Sequence, residues 1–387
     1  MNGPLHGVRI LDLTRLLPGN YCTLLLSDLG ADVLKIEEPG RGDYIRWAPP
    51  LVEGEGAIHR SLNRGKRSVT LNLKAAAGAD LLRRLARHAD VLIESFRPGV
   101  MAQFGLGYEA LSETNQRLVY CALTGYGQDG PYRDRAGHDI NFTGYAGILH
   151  ATGTPEGPPV VPSVQIGDFG GGMAAAVGIL ACLDEARRTG RGRLVDVSMM
   201  DVAASWAAVL MSWYLATGSP PERGKMPLSG GLACYRIYRA RDGRHLAVGA
   251  LEPQFWRTLC ESLGLPELVH DQFAGPERQE EIAARLQEAF SRRERDEWVI
   301  ALGDLDACVG PVNDVAEALS DPQLTHRGQL AEADGRRVGA GPAVKVSGHD
   351  PRTLTPAPAL GEHTEEVLSN LGSSLEEIEK LRSSGVV

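Results

Sequence analysis

His138 and Asp168 are the two side chains with the clearest capacity for acid–base chemistry. His138 lies in "AGHDIN" (136–141), and Asp168 lies in "GDFGGG" (167–172), just before a long apolar segment that predicts a helix. Histidine exchanges protons near neutral pH. The helix dipole favours a carboxylate at a helix N-terminus, so we expect Asp168 to be ionised and to act as a base. Taken singly, each residue also fits a structural role, His138 as a buried or capping side chain and Asp168 as an N-cap.

The residues around this pair suggest how a substrate could be held. Glycine inside a helix costs about 0.5–1 kcal/mol relative to alanine. The glycines 170–172 therefore predict a close approach by another backbone or by a ligand. The side chains of Asp139 and Asn141 are predicted to cap a helix that begins near residue 140. The backbone N–H groups of that helix terminus could then hold an oxyanion.

Two further groups of charged residues could bind or position a substrate. The basic cluster "NRGKRS" (63–68) precedes a predicted strand, and Arg97 lies in "FRPG". Such a cluster is either a solvated face or a set of phosphate contacts. No P-loop and no dinucleotide-binding glycine pattern accompanies it. Glu252 follows an apolar strand and precedes Pro253, which fits a helix start as well as an active-site carboxylate.

The composition limits the class of protein. A chain of 387 residues is longer than one core usually fills, so we expect two domains. The net charge of −9 gives no overall footprint for nucleic acid. No apolar run reaches the roughly 20 residues of a membrane span, and the N-terminus has no cleavable apolar region. The six cysteines lack metal-ligand spacing. We expect a cytoplasmic protein with reduced thiols and no metal site.

Strand and helix signals alternate through the first two hundred residues, which predicts an α/β fold with a parallel sheet. A linker rich in Pro, Gly and Ser follows, and then a hairpin pattern around "RDGR". The predicted strands are 8–13, 32–37, 68–73, 90–96, 117–127 and 193–199, and the predicted apolar helices include 170–190 and 200–218. The predicted domains are a large α/β domain (1–218), a linker (219–231), a smaller α+β domain (232–330) and a C-terminal return to the large domain (331–387).

Together these stretches resemble the class III CoA-transferase superfamily (CaiB/BaiF type), and most of all its α-methylacyl-CoA racemase branch. Phrases such as "LLLSDLGADVLKIEEPG", "RGKRSVTLNLK" and "DVLIESFRPGV" are shared by the whole superfamily. "GHDIN" and "EPQF" are more specific to the racemases. The resemblance implies an interlocked homodimer in which each chain has a Rossmann-like large domain and a small domain. It implies an acyl-CoA thioester as the substrate and no separate cofactor.

The resemblance also implies roles for individual residues. His138 and Asp168 would face opposite sides of the carbon next to the thioester carbonyl and invert it through an enolate. Glu252 would support His138, delivered by the partner subunit, and backbone N–H near Asp139 would hold the enolate oxygen. The CoA nucleotide would lie near Thr70, Leu71, Asn72 and Leu73, with phosphate contacts from Arg64, Lys66, Arg67 and Arg97. The thioester would be bordered by Gly137, Asp139, Ile140, Asn141 and Phe142.

This chain departs from the racemase pattern at two positions. Glu38 stands where the racemases usually have an arginine for the adenine, and Arg41 or Arg46 could replace it. Phe142 stands where a tyrosine is usual, which removes a hydroxyl near the thioester. We expect these changes to alter nucleotide contacts and substrate preference.

Two rival functions follow from the same residues. In a class III CoA-transferase, Asp168 would attack the acyl-CoA and form a mixed anhydride. His138, Leu17 and the "EPQF" motif favour the racemase over the transferase. A catalytically silent CoA-ester-binding protein would need to have lost an acid–base group, whereas His138, Asp168 and Glu252 are all present.

Overall fold

A computed structural model describes residues 3–333, 335–349 and 355–387 as two compact units. The first unit comprises the chain up to Ala146, the segment Ser163–Trp206 and the segment from Pro322 onward. The second comprises Gly147–Pro162 and Ala207–Asp321. These divisions differ from the predicted boundaries at 219 and 331, because a composition shift marks a flexible-looking segment and not the residue at which packing partners change.

The strands are short and mostly buried in the first unit. In chain order they are β1 (Arg9–Leu13), β2 (Asp32–Glu37), β3 (Leu51–Val52), β4 (Glu55–Gly56), β5 (Arg67–Thr70), β6 (Val91–Glu94), β7 (Val119–Thr124), β8 (Leu194–Ser198), β9 (Tyr235–Arg239), β10 (His245–Gly249), β11 (Val309–Pro311), β12 (Leu330–Ala333) and β13 (Arg336–Ala340).

The helices alternate with these strands through the first unit. They are α1 (Leu16–Asp28), α2 (Ala57–Leu62), α3 (Ala76–Ala86), α4 (Val100–Gln103), α5 (Tyr108–Thr114), α6 (Asp139–Tyr145), α7 (Ile148–Ala151), α8 (Ile166–Thr189), α9 (Met199–Trp206), α10 (Ala208–Thr217), α11 (Pro253–Ser262), α12 (Pro276–Phe290), α13 (Arg295–Gly303), α14 (Val315–Ala318), α15 (Pro322–His326), α16 (Thr364–Asn370) and α17 (Leu375–Ser383).

The first unit is built on a parallel sheet of six strands in the order β5-β2-β1-β6-β7-β8. Successive side chains of β1 enter opposite layers, because side chains alternate across a strand. Ile10 packs in the layer that holds Cys22 of α1 and Ile179 of α8. Leu11 packs in the layer that holds Leu82 of α3. The predicted α/β class and parallel sheet are confirmed.

The C-terminal segment packs onto the edge of this sheet at β5. Thr70 N–H donates to Thr364 Oγ1 (3.1 Å), and Asn72 N–H donates to the carbonyl of Val386 (2.8 Å). The predicted strand 68–73 therefore ends early, at Thr70, because the chain beyond it turns to meet the C-terminus.

The second unit contains an antiparallel sheet in the order β11-β10-β9. The hairpin of β9 and β10 pairs Ile237 with Ala247, on either side of the predicted "RDGR" turn. Its core includes Trp256 of α11, Leu286 of α12 and Trp298 of α13.

Two apolar helical regions have unusual exposure. The helix α8 is long and apolar enough to cross a membrane by composition alone (mean hydropathy 1.6), a test that core helices of soluble proteins also pass. One side of α8 packs on α1 and β7. The predicted helix 200–218 is two helices, α9 and α10, with a break at Ala207. The helix α10 has no buried residue, although Val209 to Leu215 is almost wholly apolar.

Candidate active site

The backbone around His138 presents its imidazole outward. The segment from the end of β7 leads to His138, which has an extended conformation (φ −127°, ψ 175°) and directly precedes α6. The His138 N–H donates to Asn141 Oδ1 (3.0 Å), so Asn141 caps α6 as expected. The imidazole is exposed. A proton-exchanging group is therefore held by its backbone at a helix start and is accessible to a substrate.

Asp139 ties this helix start to a second one. Its carboxylate is buried, and Oδ1 accepts hydrogen bonds from Gly167 N–H (2.6 Å) and Asp168 N–H (3.1 Å). These are the second and third residues of α8, whose N–H groups a capping side chain normally satisfies. We expected Asp139 to cap its own helix, and that expectation is wrong. The contact is missed by sequence reasoning because it joins residues almost thirty positions apart.

Asp168 is half-buried and lies beside this buried carboxylate. Burial, and then the negative charge of Asp139, raise the pKa of Asp168 from 3.8 to about 7. The helix N-terminus therefore does not hold the pKa of Asp168 low, as its dipole would predict. The N–H groups that would favour its charge are bonded to Asp139 instead. A carboxyl group that titrates near neutral pH can both take and give a proton.

The consecutive glycines of α8 make room for other helices. A Cβ on Gly172 would lie 2.4 Å from the carbonyl oxygen of Pro18 in α1. A Cβ on Gly171 would lie 2.7 Å from Met199 Cγ in α9, and one on Gly170 would lie 3.1 Å from Val202. The sequence left open whether another backbone or a ligand approaches these glycines. The structure shows close packing by other parts of the protein. The glycines thereby fix the position of the first turn of α8.

The other residues predicted at the thioester are divided between surface and core. His138, Ile140 and Asn141 are exposed, and Gly137 is half-buried. Phe142 is buried, with its ring 5.2 Å from the ring of Tyr126. The ring fills space left by the missing side chains of Gly125 and Gly137, so the side chain predicted at the thioester packs in the core of the first unit.

A cavity of about 300 Å³ lies beyond the carboxyl ends of β1, β2, β5 and β6. The strand order reverses between β1 and β6, and ligands of doubly wound sheets bind at such a switch point. Of the residues predicted near the CoA nucleotide, Leu71, Asn72 and Leu73 line this cavity, whereas Thr70 is buried and is not among the lining residues. His138 and Asp168 are not among them either.

The cations of this cavity are not those of the predicted basic cluster. Arg15 lies between two rings, with its guanidinium carbon 5.6 Å from the Tyr44 ring centroid and 5.3 Å from that of Phe96. Lys74 forms an ion pair with Glu38 (3.2 Å), and Arg41 also lines the cavity. Arg41 thus lies where a replacement for the missing arginine was expected. Sequence reasoning did not identify Arg15 or Lys74. Lys74 directly follows the predicted strand 68–73, and Arg15 lies two residues after the predicted strand 8–13.

Two residues of the basic cluster form buried ion pairs inside the first unit. Arg64 forms a buried ion pair with Asp28. Lys66 donates to Asp12 Oδ2 (3.3 Å) and to Thr23 Oγ1 (2.7 Å), and its ammonium group is fully buried. Both side chains predicted to contact phosphate are thus buried and paired inside the first unit, and a phosphate could not reach them without breaking these pairs.

The remaining predicted phosphate contacts also lie elsewhere. Arg67 pairs with Asp32 (2.7 Å) and borders a different cavity. Arg97 is exposed and does not line the switch-point cavity. Arg46 is buried against Glu37 (2.6 Å), so it is not available to replace an adenine-binding arginine.

Glu252 lies in the second unit, immediately before α11, and is exposed. Pro253 opens the helix as the sequence indicated. In the part of the chain that the structure describes, no group of three or more His, Cys, Asp or Glu side chains is arranged to hold a metal ion.

The fold and the site together define a doubly wound α/β enzyme with a ligand cavity at its switch point. A family model described as CoA-transferase family III matches residues 5–364. The chain belongs to this family. The expected resemblance is confirmed.

Relatives with two different activities are equally similar to the chain. Succinyl-CoA:glutarate CoA-transferase of Mus musculus is 35% identical over 99% of this chain and 90% of its own length. Alpha-methylacyl-CoA racemase of Homo sapiens is 35% identical over 99% of this chain and 97% of its own length. The crystal structure of a CAIB/BAIF family protein from Brucella suis has a TM-score of 0.84 and 34% identity, covering 96% of this chain and 100% of that chain.

Proposed function

We propose that the protein is a racemase or epimerase that inverts the C2 centre of 2-methylacyl-CoA thioesters. One of His138 and Asp168 removes the C2 proton, and the electrons of that C–H bond move into the thioester to form an enolate. The other group returns a proton to the opposite face of C2. The group that removed the proton ends protonated, and the group that donated one ends deprotonated. The observation that carries the proposal is the joining of both residues at neighbouring helix starts through Asp139.

The electrostatics of Asp168 support this chemistry. General acid–base catalysis is most effective when the catalytic pKa lies near the working pH. The pKa of Asp168, raised to about 7 chiefly by burial and then by Asp139, meets this condition. We assign the enolate oxygen to the backbone N–H of Asp139 and the support of His138 to Glu252.

A homodimer would complete this site, with Glu252 supplied by the partner subunit. The apolar residues of α10 support such a contact, because exposed apolar patches of this kind usually mark interfaces. Leu215 is 81% exposed and Val209 is 61% exposed. The CoA nucleotide would occupy the switch-point cavity with Arg15, Arg41 and Lys74 as its cations. The enzyme would act in the cytoplasm on an acyl-CoA, with no nucleic-acid partner, membrane span, metal or separate cofactor.

The second candidate is a class III CoA-transferase with Asp168 as the nucleophile. The specific observation in its favour is the 35% identity to succinyl-CoA:glutarate CoA-transferase. In that reaction the Asp168 carboxylate attacks the thioester carbonyl and CoA thiolate leaves, giving an aspartyl–acyl anhydride. The CoA thiolate attacks the Asp168 carbonyl of this anhydride, which releases the first acyl group as a free carboxylate and leaves an aspartyl–CoA thioester. An acceptor carboxylate displaces CoA from that thioester to give a second anhydride, and the thiolate then attacks the acceptor's carbonyl, forming the new acyl-CoA and freeing Asp168.

The deciding experiment incubates the protein with one epimer of a 2-methylacyl-CoA in D2O without any acceptor acid. Deuterium should enter at C2 and the other epimer should appear. If C2 takes up no deuterium and the other epimer does not appear, while labelled CoA moves to a free carboxylic acid once that acid is added, the racemase proposal is refuted and the transferase is supported.

The matched variants His138→Gln and Asp168→Asn sharpen this test. Each variant keeps one base, so each should exchange the C2 proton of one epimer only and return deuterium to the same face. The epimer that still exchanges should differ between the two variants. Loss of all exchange from both epimers in both variants would contradict the assignment of two opposing bases.

A further inference from the structure

We propose that the Asp139 carboxylate is a positioning residue that fixes the backbone of Asp168 and sets the protonation state in which Asp168 meets the substrate. This inference rests on the proposed function for its catalytic meaning. The structural basis of the inference is a pair of hydrogen bonds: Asp139 Oδ1 accepts from Gly167 N–H (2.6 Å) and from Asp168 N–H (3.1 Å).

The positioning part follows from where these two bonds end. Asp139 directly follows His138, and its side chain bonds to the main chain of Asp168 itself. One buried side chain therefore links the backbones of both acid–base residues. Gly167 is also restricted here, because a Cβ at that position would lie 3.1 Å from Asp139 Oδ1. The first turn of α8 thus has little freedom to move relative to the start of α6.

The electrostatic part follows from which group receives the N–H donors. A carboxylate at a helix N-terminus is usually stabilised by the free N–H groups of the first turn. Here Asp139 accepts two of those N–H groups and places its own negative charge beside Asp168. Ionising Asp168 therefore creates a second negative charge in a half-buried site, which favours its protonated form.

Other titratable groups lie on the elements that pack around the start of α8. The start of α6 carries His138, α1 carries Tyr21, and α9 carries Asp201. The ring of Tyr21 contacts the ring of Phe169 with a centroid distance of 5.0 Å. After burial, the charge of Asp139 is the one that raises the pKa of Asp168.

The test is a ¹³C NMR titration of protein labelled at the aspartate carboxyl carbons, with Asp168→Asn used to assign the resonance of Asp168. Asp139→Asn keeps a carbonyl oxygen for capping but removes the charge. It should lower the pKa of Asp168 by about 1, without returning it to 3.8 because burial remains. The control Asp201→Asn, at an exposed position of α9, should leave the pKa of Asp168 unchanged. An unchanged pKa in Asp139→Asn would overturn the proposal.

A second measurement uses the unaltered protein and so does not depend on the folding of any Asp139 variant. The chemical shift of the Asp139 carboxyl carbon should respond when Asp168 ionises, because Asp139 is hydrogen-bonded to the Asp168 backbone and feels the new charge. An Asp139 resonance that does not respond to the ionisation of Asp168 would refute the link.

Kinetics then separate this inference from the proposed function. If the unaltered protein exchanges C2 hydrogen, Asp139→Asn should move the limb near pH 7 of its kcat/KM profile to lower pH and leave KM within about twofold. A limb that stays in place would overturn the catalytic role. If the unaltered protein exchanges no C2 hydrogen, the proposed function fails, while the two NMR titrations still decide the inference.

Discussion

Replacing Lys66 by methionine should cost stability and not CoA affinity. The Lys66 ammonium group is fully buried, and four acceptor atoms lie within hydrogen-bonding distance of its three N–H groups. These are Asp12 Oδ2 (3.3 Å), the carbonyl of Asn20 (3.1 Å), Thr23 Oγ1 (2.7 Å) and Asn63 Oδ1 (3.0 Å). Methionine fills a similar volume but supplies no donor, so the variant leaves these acceptors in a dry interior.

The expected loss of stability depends on which groups still pair with Asp12 in the variant. Burial alone would raise the pKa of Asp12, but Lys35 and Lys66, with hydrogen bonds from Thr14 and Thr23, lower it to about 2. Asp12 is therefore ionised in the folded protein. Removing one partner of a buried ion pair costs about 3–5 kcal/mol. Because Lys35 and the two threonines remain, we expect Lys66→Met to lie at the lower end, about 3 kcal/mol.

The assay combines urea denaturation with equilibrium binding of a CoA ester, and Lys74→Met is the matched control. Lys74 is 75% exposed and pairs with Glu38 at the switch-point cavity. Its loss should change the free energy of unfolding by less than about 0.5 kcal/mol and weaken CoA-ester binding. The opposite pattern, with Lys66→Met nearly as stable as the unaltered protein but binding CoA esters at least tenfold more weakly, would refute this reasoning and restore Lys66 as a phosphate contact.

Three other predictions concern the catalytic pair, the helix packing and the dimer. Because the active pair must hold one proton and the pKa of Asp168 is raised from 3.8 to about 7, kcat/KM should show a limb near pH 7; a flat profile from pH 6 to 8 would contradict this. Gly172→Ala should cost about 1–3 kcal/mol in urea denaturation, because its Cβ would lie 2.4 Å from the Pro18 carbonyl oxygen. Gly303→Ala, which meets no atom within 4 Å, is its control. Leu215→Glu should yield monomers in analytical ultracentrifugation, and an unchanged dimer would exclude Leu215 from the interface.

Much of the fold follows from local patterns. The parallel strands β1 and β2 contain branched apolar residues and are spaced for helical crossovers, and both features can be read from a single sequence. The break at Ala207 was not predicted, because the apolar pattern continues across it without a proline or glycine. The compact units also divide at other residues than the predicted domains, since the units depend on which distant segments pack together.

The candidate site divides in the same way. The sequence identified His138 and Asp168 by residue type and motif, and it identified Leu71 to Leu73 at the cavity. It assigned Arg64 and Lys66 to phosphates because a basic run looks the same whether it is solvated or buried. Only the tertiary structure places Asp28 and Asp12 against them.

The sequence by itself determined the family, the parallel α/β architecture and the two side chains that can exchange protons, because these reside in residue types and short spacings. The tertiary structure alone decided that the Asp139 carboxylate caps α8 and that the pKa of Asp168 is raised. Both residues are aspartates in the sequence. Asp139 is buried and accepts two N–H groups, whereas Asp168 lies beside the negative charge of Asp139. That difference arises from contacts across almost thirty residues, and the environment set by such contacts controls the pKa of a carboxyl group.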